Sequence, residues 1–223
     1  EPFTFENNVF NTSCGAVQIN HPNGHAIFTS CVFTHLNQEP ISLTLNSFII
    51  QDCIFRNCGG QVEVKDSVSD ANIERCIFTD FYSAVSVISI SNTNCRFTNN
   101  IINFTSNDQA ISGLSITSHG NIFVAYNQFI NYRKSSSSTG GIDIKEPNNQ
   151  IDSSDSIVIF NYNTLVNSYS VKFGIFSIMK VNLFEFNHNI IKDCKINDYS
   201  TQIDLKEDIN AFNNDLSIYN LTM

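Results

Sequence analysis

Three hexads decide the fold: Phe28-Thr29-Ser30-Cys31-Val32-Phe33, Ile50-Gln51-Asp52-Cys53-Ile54-Phe55 and Ile73-Glu74-Arg75-Cys76-Ile77-Phe78. Each runs from a large apolar residue through two polar ones to a cysteine, and closes on an apolar pair. Allowing asparagine in the cysteine place and moving outward adds Asn8-Val9-Phe10, Cys95-Arg96-Phe97, Asn127-Gln128-Phe129, Asn163-Thr164-Leu165, Asn189-Ile190-Ile191 and Asn214-Asp215-Leu216. The closing apolar residues of the nine frames are 23, 22, 23, 19, 32, 36, 26 and 25 residues apart. Three places before the Asn or Cys stand Phe5, Phe28, Ile50, Ile73, Val124, Phe160 and Phe186, with Asn92 and Ala211 in the other two frames. Two places after the closing residue an Asn or Asp recurs, as Asn57, Asp80, Asn99, Asn131, Asn167 and Asp193.

Each unit carries a second run that alternates with period two, such as Ile41-Ser42-Leu43-Thr44-Leu45, Gln61-Val62-Glu63-Val64, Gly141-Ile142-Asp143-Ile144 and Gln202-Ile203-Asp204-Leu205. Such alternation marks a strand with one buried face. Short strands at a fixed period without helical spacing describe one coil of a solenoid. The expectation is therefore an all-β, right-handed, single-stranded parallel β-helix of about nine coils of ~22–26 residues. It forms one domain over residues 1–223, with loop insertions near 103–121 and 132–155. Asn8, Cys31, Cys53, Cys76, Cys95, Asn127, Asn163, Asn189 and Asn214 are expected in one internal file. A buried amide is costly unless hydrogen-bonded, and stacked amides satisfy one another and the turn backbone. Cysteine replaces them as a small, weakly polar residue that tolerates burial.

The 31 Asn and 19 Phe suit many short strands joined by many specified turns. A net charge of −9 with scattered Lys and Arg provides no basic face, so nucleic acid is not expected as a partner. No apolar run is long enough to span a bilayer in this segment. The seven cysteines cannot all pair within the chain. Cys31, Cys53 and Cys76 on stacked coils would point the same way, against the torsion a disulfide needs, so a buried free-thiol ladder is expected. Cys14, Cys58 and Cys194, three or four places past their frames, are expected to be internal too. Neither metal nor cofactor is expected: His21, His25 and His35 lie in turn regions at spacings of four and ten.

Two short elements resemble a known repeat. Phe5-Glu6-Asn7-Asn8, Phe160-Asn161-Tyr162-Asn163 and Phe186-Asn187-His188-Asn189 are similar to the Phe-x-x-Asn hallmark of polymorphic outer-membrane proteins. Gly59-Gly60-Gln61-Val62 and Gly140-Gly141-Ile142 resemble its Gly-Gly-apolar companion. That family, and similar large surface proteins of protozoan parasites, carry pectate-lyase-like β-helices that act as adhesins. The resemblance implies the same scaffold here and an adhesive, non-enzymatic role at the cell surface or outside the cell.

A rigid coil confines variation to its turns, so recognition is expected there. The stretch 132–155 supplies the binding candidates Tyr132, Arg133, Lys134, Asp152 and Asp155, for a protein or glycan ligand. Asn11, Asn103 and Asn220 begin glycosylation sequons. One alternative is a structural part of a filamentous or intracellular assembly, where free thiols survive. Another is a polysaccharide lyase or hydrolase, whose carboxylates would have to cluster on adjacent coils. Glu63, Asp143 and Asp204 share a strand position but fall on separated units, and Ser118-His119-Gly120 lacks partner motifs. No catalytic residue is expected. Repeats run to both termini without a cap, so the chain reads as a segment of a longer protein with neighbouring repeats or domains at both ends.

Overall fold

The computed structural model describes residues 1–65, 69–82, 86–91, 94–103, 112–118, 120–131, 133–134, 142–145, 157–170, 176–179, 183–196, 203–206 and 211–219. Every described strand pairing is parallel, and no described residue is helical. The chain is a parallel β-solenoid, of which about six turns, Phe3 to Ile130, are described with few gaps.

Three strand faces repeat along the rod. The first aligns Phe5, Phe28, Ile50, Ile73, Phe97, Val124 and Phe160 in one column. The second aligns Phe10, Phe33, Phe55, Phe78, Ile102, Phe129, Leu165 and Ile191. The third, built from the alternating runs, aligns Val17, Ile41, Val62, Ile88, Leu114 and Ile142. Alternation turns these residues inward, and from Phe28 to Ile191 those with a described side chain are buried. The rings of Phe10, Phe33, Phe55 and Phe78 stack at 4.7, 4.7 and 4.8 Å, the spacing of neighbouring strands. Each buried Phe contributes on the order of 1.5–3 kcal/mol of transfer free energy.

The corner between the first and second faces contains the ladder. The side-chain amides of Asn100, Asn127, Asn163 and Asn189 donate through Nδ2 to the carbonyls of Ile73, Phe97, Val124 and Phe160, at 3.0, 2.8, 2.9 and 2.7 Å. Each acceptor lies on the coil before. The thiols of Cys31, Cys53 and Cys76 reach the carbonyls of Phe5, Phe28 and Ile50 in the same column, at 3.4, 3.6 and 3.6 Å, and share their hydrogen with the carbonyls of Thr29, Gln51 and Glu74 two residues back, at 3.5, 3.2 and 3.3 Å. Oδ1 serves the same earlier coil: Asn100, Asn127, Asn163 and Asn189 accept the backbone N–H of Cys76, Asn100, Asn127 and Asn163 at 2.8–3.0 Å. Sulfur performs this second task weakly, as in the 3.4 Å contact from the Cys31 N–H to Cys53 Sγ.

Two expected ladder members stand elsewhere. Cys95 is aligned with Ala71 and Ile122 on the first face, and Asn100 occupies the ladder place. The frame Asn100-Ile101-Ile102 restores the apolar residue three places earlier, Phe97, and gives intervals of 24 and 27 residues from Phe78 to Ile102 to Phe129. Within the insertion expected near 103–121, Ser112–Thr117 is a strand of the third face, and residues 104–111 and 119 lie outside the described residues. Asn99 belongs to the corner before the ladder. Asn214 is aligned with Phe186, and Leu216 lies opposite Asn189 after a register shift. Asn8, on the first coil, is exposed.

All seven cysteines are free thiols, six buried and Cys14 exposed, against the expectation that Cys14 is internal. Cys58 and Cys194 lie at the next corner, donating to the carbonyls of Phe33 and Leu165 at 3.8 and 3.6 Å. Burial pushes the Cys58 and Cys95 thiols up to about 12 and raises Cys76, so none of the three presents thiolate at neutral pH.

Asn163→Ala orphans the Val124 carbonyl and the Asn127 N–H, and should cost about 2–5 kcal/mol in urea unfolding. Asn163→Cys, which keeps the donor, should fall between alanine and wild type. Asn100→Ala should cost more than Cys95→Ala, the reverse of what a ladder through Cys95 requires. A thiol-reactive chromophore should label one cysteine rapidly in the folded protein and the other six only on unfolding. Rapid labelling of a second thiol would contradict the buried file.

Candidate recognition edge

The sequence-derived loop candidates are not assembled by the described structure. Tyr132, Asp152 and Asp155 lie outside the described residues. Arg133–Lys134 forms a two-residue strand paired with Tyr169–Ser170. Of the sequon residues, Asn11 is exposed, Asn103 is half-buried with Oδ1 accepting from Asn131 Nδ2 at 2.9 Å, and Asn220 lies outside the described residues.

The carboxylates of the third face stand in one column, running Glu63, Ser89, Ser115, Asp143, Ser177, Asp204. Serines separate them, so no two occupy adjacent coils there. Glu63 is engaged by Lys65 at 3.0 Å and Ser42 Oγ at 3.2 Å, and Asp143 is buried. Ser118 is buried and its Oγ accepts the Gly120 N–H at 2.8 Å, while His119 lies outside the described residues. The three early histidines go separate ways: His21 packs edge-on against Phe3, His25 Nδ1 meets Ser47 Oγ at 2.7 Å, and His35 meets Thr34 Oγ1 at 2.9 Å. Among the described residues no group of three or more His, Cys, Asp or Glu could hold a metal ion.

A different surface emerges at the ladder corner. The residue before each ladder position has a left-handed backbone: Asn7, Ser30, Asp52, Arg75, Asn99, Tyr126, Tyr162 and His188, all with φ of 53–60°. This conformation lets the next side chain turn inward while the strand changes direction. Asn and Asp tolerate it, whereas for larger residues it costs roughly 1–2 kcal/mol. The corner is fixed across coils by the N–H groups of Asn99, Tyr126 and Tyr162, which donate to the carbonyls of Ala125, Asn161 and Asn187 at 3.1, 3.3 and 3.0 Å. Outside, Arg75 clasps Asp52 through Nε and Nη2 at 2.7 and 3.0 Å, holding the Asp52 carboxyl below its ordinary range. Further along, the Tyr126 and Tyr162 rings stack at 5.0 Å and 6°, and Tyr162 stacks on His188 at 4.8 Å and 25°.

Two places on, just past the inward ladder residue, the outward column runs Val9, Val32, Ile54, Ile77, Ile101, Gln128, Thr164, Ile190. Together these two neighbouring columns contain six of the seven large hydrophobic residues that are exposed among the described residues: Val9, Ile54, Ile77, Tyr126, Tyr162 and Ile190. Phe3 is the seventh. This edge lies outside the long insertions in which the sequence places recognition. The available signal was the place before the ladder residue, where Tyr, Tyr and His replace the small polar residues that a left-handed turn favours. No family model, curated protein or solved structure matches this chain.

Proposed function

We propose that the protein is a non-enzymatic β-solenoid scaffold that binds a protein or glycan ligand along the ladder-corner edge, in an adhesive role at the cell surface or outside the cell. The observation that carries this reading is the concentration of exposed apolar side chains on that one edge. Exposed aliphatic and aromatic groups gathered in one strip mark interaction surfaces, whereas scattered ones do not. Tyrosine adds a large rigid contact area with a polar tip, which suits both peptide and sugar partners. The backbone bonds of the corner hold the strip in a single geometry, so little conformational freedom is lost on binding. The Phe-x-x-Asn and Gly-Gly-apolar elements, with their likeness to the surface repeats of polymorphic outer-membrane proteins, agree with this reading. Tyr132, Arg133, Lys134, Asp152 and Asp155 are further candidates for contact with the same ligand.

A second reading, a structural component of a filamentous or intracellular assembly, is favoured by the seven unpaired thiols, which suit a reducing compartment.

Glycan arrays and pull-downs with the wild-type protein should identify a ligand, and Tyr126→Ser/Tyr162→Ser should weaken it about tenfold or more, on the scale of ~2 kcal/mol for an aromatic hot spot. Trimming the loop should be confined to 146–156, because Ile142 and Ile144 are core residues. Retained affinity in the double variant, with affinity lost on trimming, would move the site to the loop. Release of reducing ends from any array glycan would overturn the non-enzymatic reading.

A further inference from the structure

Tyr126 and Tyr162 combine three properties. They sit on consecutive coils in the same left-handed turn, with φ of 60° and 58°. Their rings are parallel within 6° with centroids 5.0 Å apart. Both remain open to solvent, at 54 % and 47 % exposure. Other stacked pairs in this protein, such as Phe33 and Phe55 at 4.7 Å, are fully buried. Here two phenols are held side by side where a reagent reaches both.

We propose that Tyr126 and Tyr162 form an oxidative cross-linking site that becomes an intrachain dityrosine. The oxidant is hydrogen peroxide used by a peroxidase-class enzyme. Each phenol gives up one electron and one proton, leaving two phenoxyl radicals. A carbon–carbon bond forms between ring positions ortho to the two oxygens, and the hydrogen at each joined carbon moves to oxygen as the rings regain aromaticity. The net change is loss of two hydrogen atoms from the protein, while the peroxide is reduced to two water molecules. Fixed proximity favours this coupling over reaction between chains, because the partner radical is already in place.

The bond has a structural consequence. The frames containing Tyr126 and Tyr162 are 36 residues apart, the widest interval in the repeat. A link between the two coils closes that connection covalently and restricts the unfolded chain, as any cross-link across a long loop does. It needs no ligand on the edge, so it stands or falls separately from the recognition role. Tyr82, the other tyrosine with a described side chain, is half-buried, and its single O–H is directed at Asn37 Oδ1 at 2.8 Å and the Leu36 carbonyl at 3.1 Å.

The test uses dilute protein with Cys14, the exposed thiol, first blocked by alkylation. Treatment with peroxidase and peroxide should yield a monomer lighter by two hydrogen atoms, with dityrosine fluorescence and a crossed peptide joining residues 126 and 162. Tyr126→Phe and Tyr162→Phe should each abolish that peptide, and both keep the ring stack, so their circular dichroism melts check that folding is intact. The oxidised wild type should unfold at higher urea than the untreated protein, a shift absent from both variants. An unchanged mass, products mainly between chains, or equal intrachain cross-linking in either variant would overturn the assignment.

Discussion

The structure depends on one hydrogen bond repeated down the rod, from a ladder side chain to the carbonyl of the apolar residue on the preceding coil. Seven consecutive carbonyls, from Phe5 to Phe160, receive it, three from thiols and four from amides. The amide also accepts an N–H from that coil, so a single side chain serves two backbone groups that would otherwise be buried without partners. This dual capacity explains why asparagine is tolerated in the core and why no apolar residue takes its place from Cys31 to Asn189. Cysteine keeps the donor and largely forfeits the acceptor, a milder loss than full removal.

That bond also determines which corner of the coil is constant. Two residues always separate the apolar residue from the ladder residue between Phe5 and Asn189, whereas the intervals through the other corners range widely. Equivalent atoms at the ladder corner repeat at the strand spacing, and side chains projecting from it form straight columns. Aromatic stacking of Tyr126, Tyr162 and His188 outside is therefore a consequence of amide bonding inside.

The hexads were sufficient to read the solenoid and most of the internal file, because both periodicities stem from burial on a repeating backbone. The error at Cys95 arose because Cys95-Arg96-Phe97 and Asn100-Ile101-Ile102 each satisfy the short frame. The residue three places earlier separates them, Asn92 for one and Phe97 for the other, as do the more even intervals. Asn214 fell to a register shift beside Asn187, which nothing in local composition announces. The edge was harder to see. Exposure depends on which columns face outward, and the columns become visible only when residues 22 to 36 apart are superposed in register.

Stability does not account for the aromatic residues of that edge. A tyrosine in a left-handed turn costs roughly 1–2 kcal/mol relative to an ordinary conformation, and Asn at the same corner avoids most of that cost. A stacked pair returns about 0.5–1.5 kcal/mol, so the substitution is at best close to neutral for folding. Asn7 and Asn99 show that the chain uses the easier residue at this corner on other coils. Where a left-handed turn carries Tyr, Tyr and His on successive coils, with the tyrosines half exposed, the rings are better explained by what they meet in solution than by what they hold together.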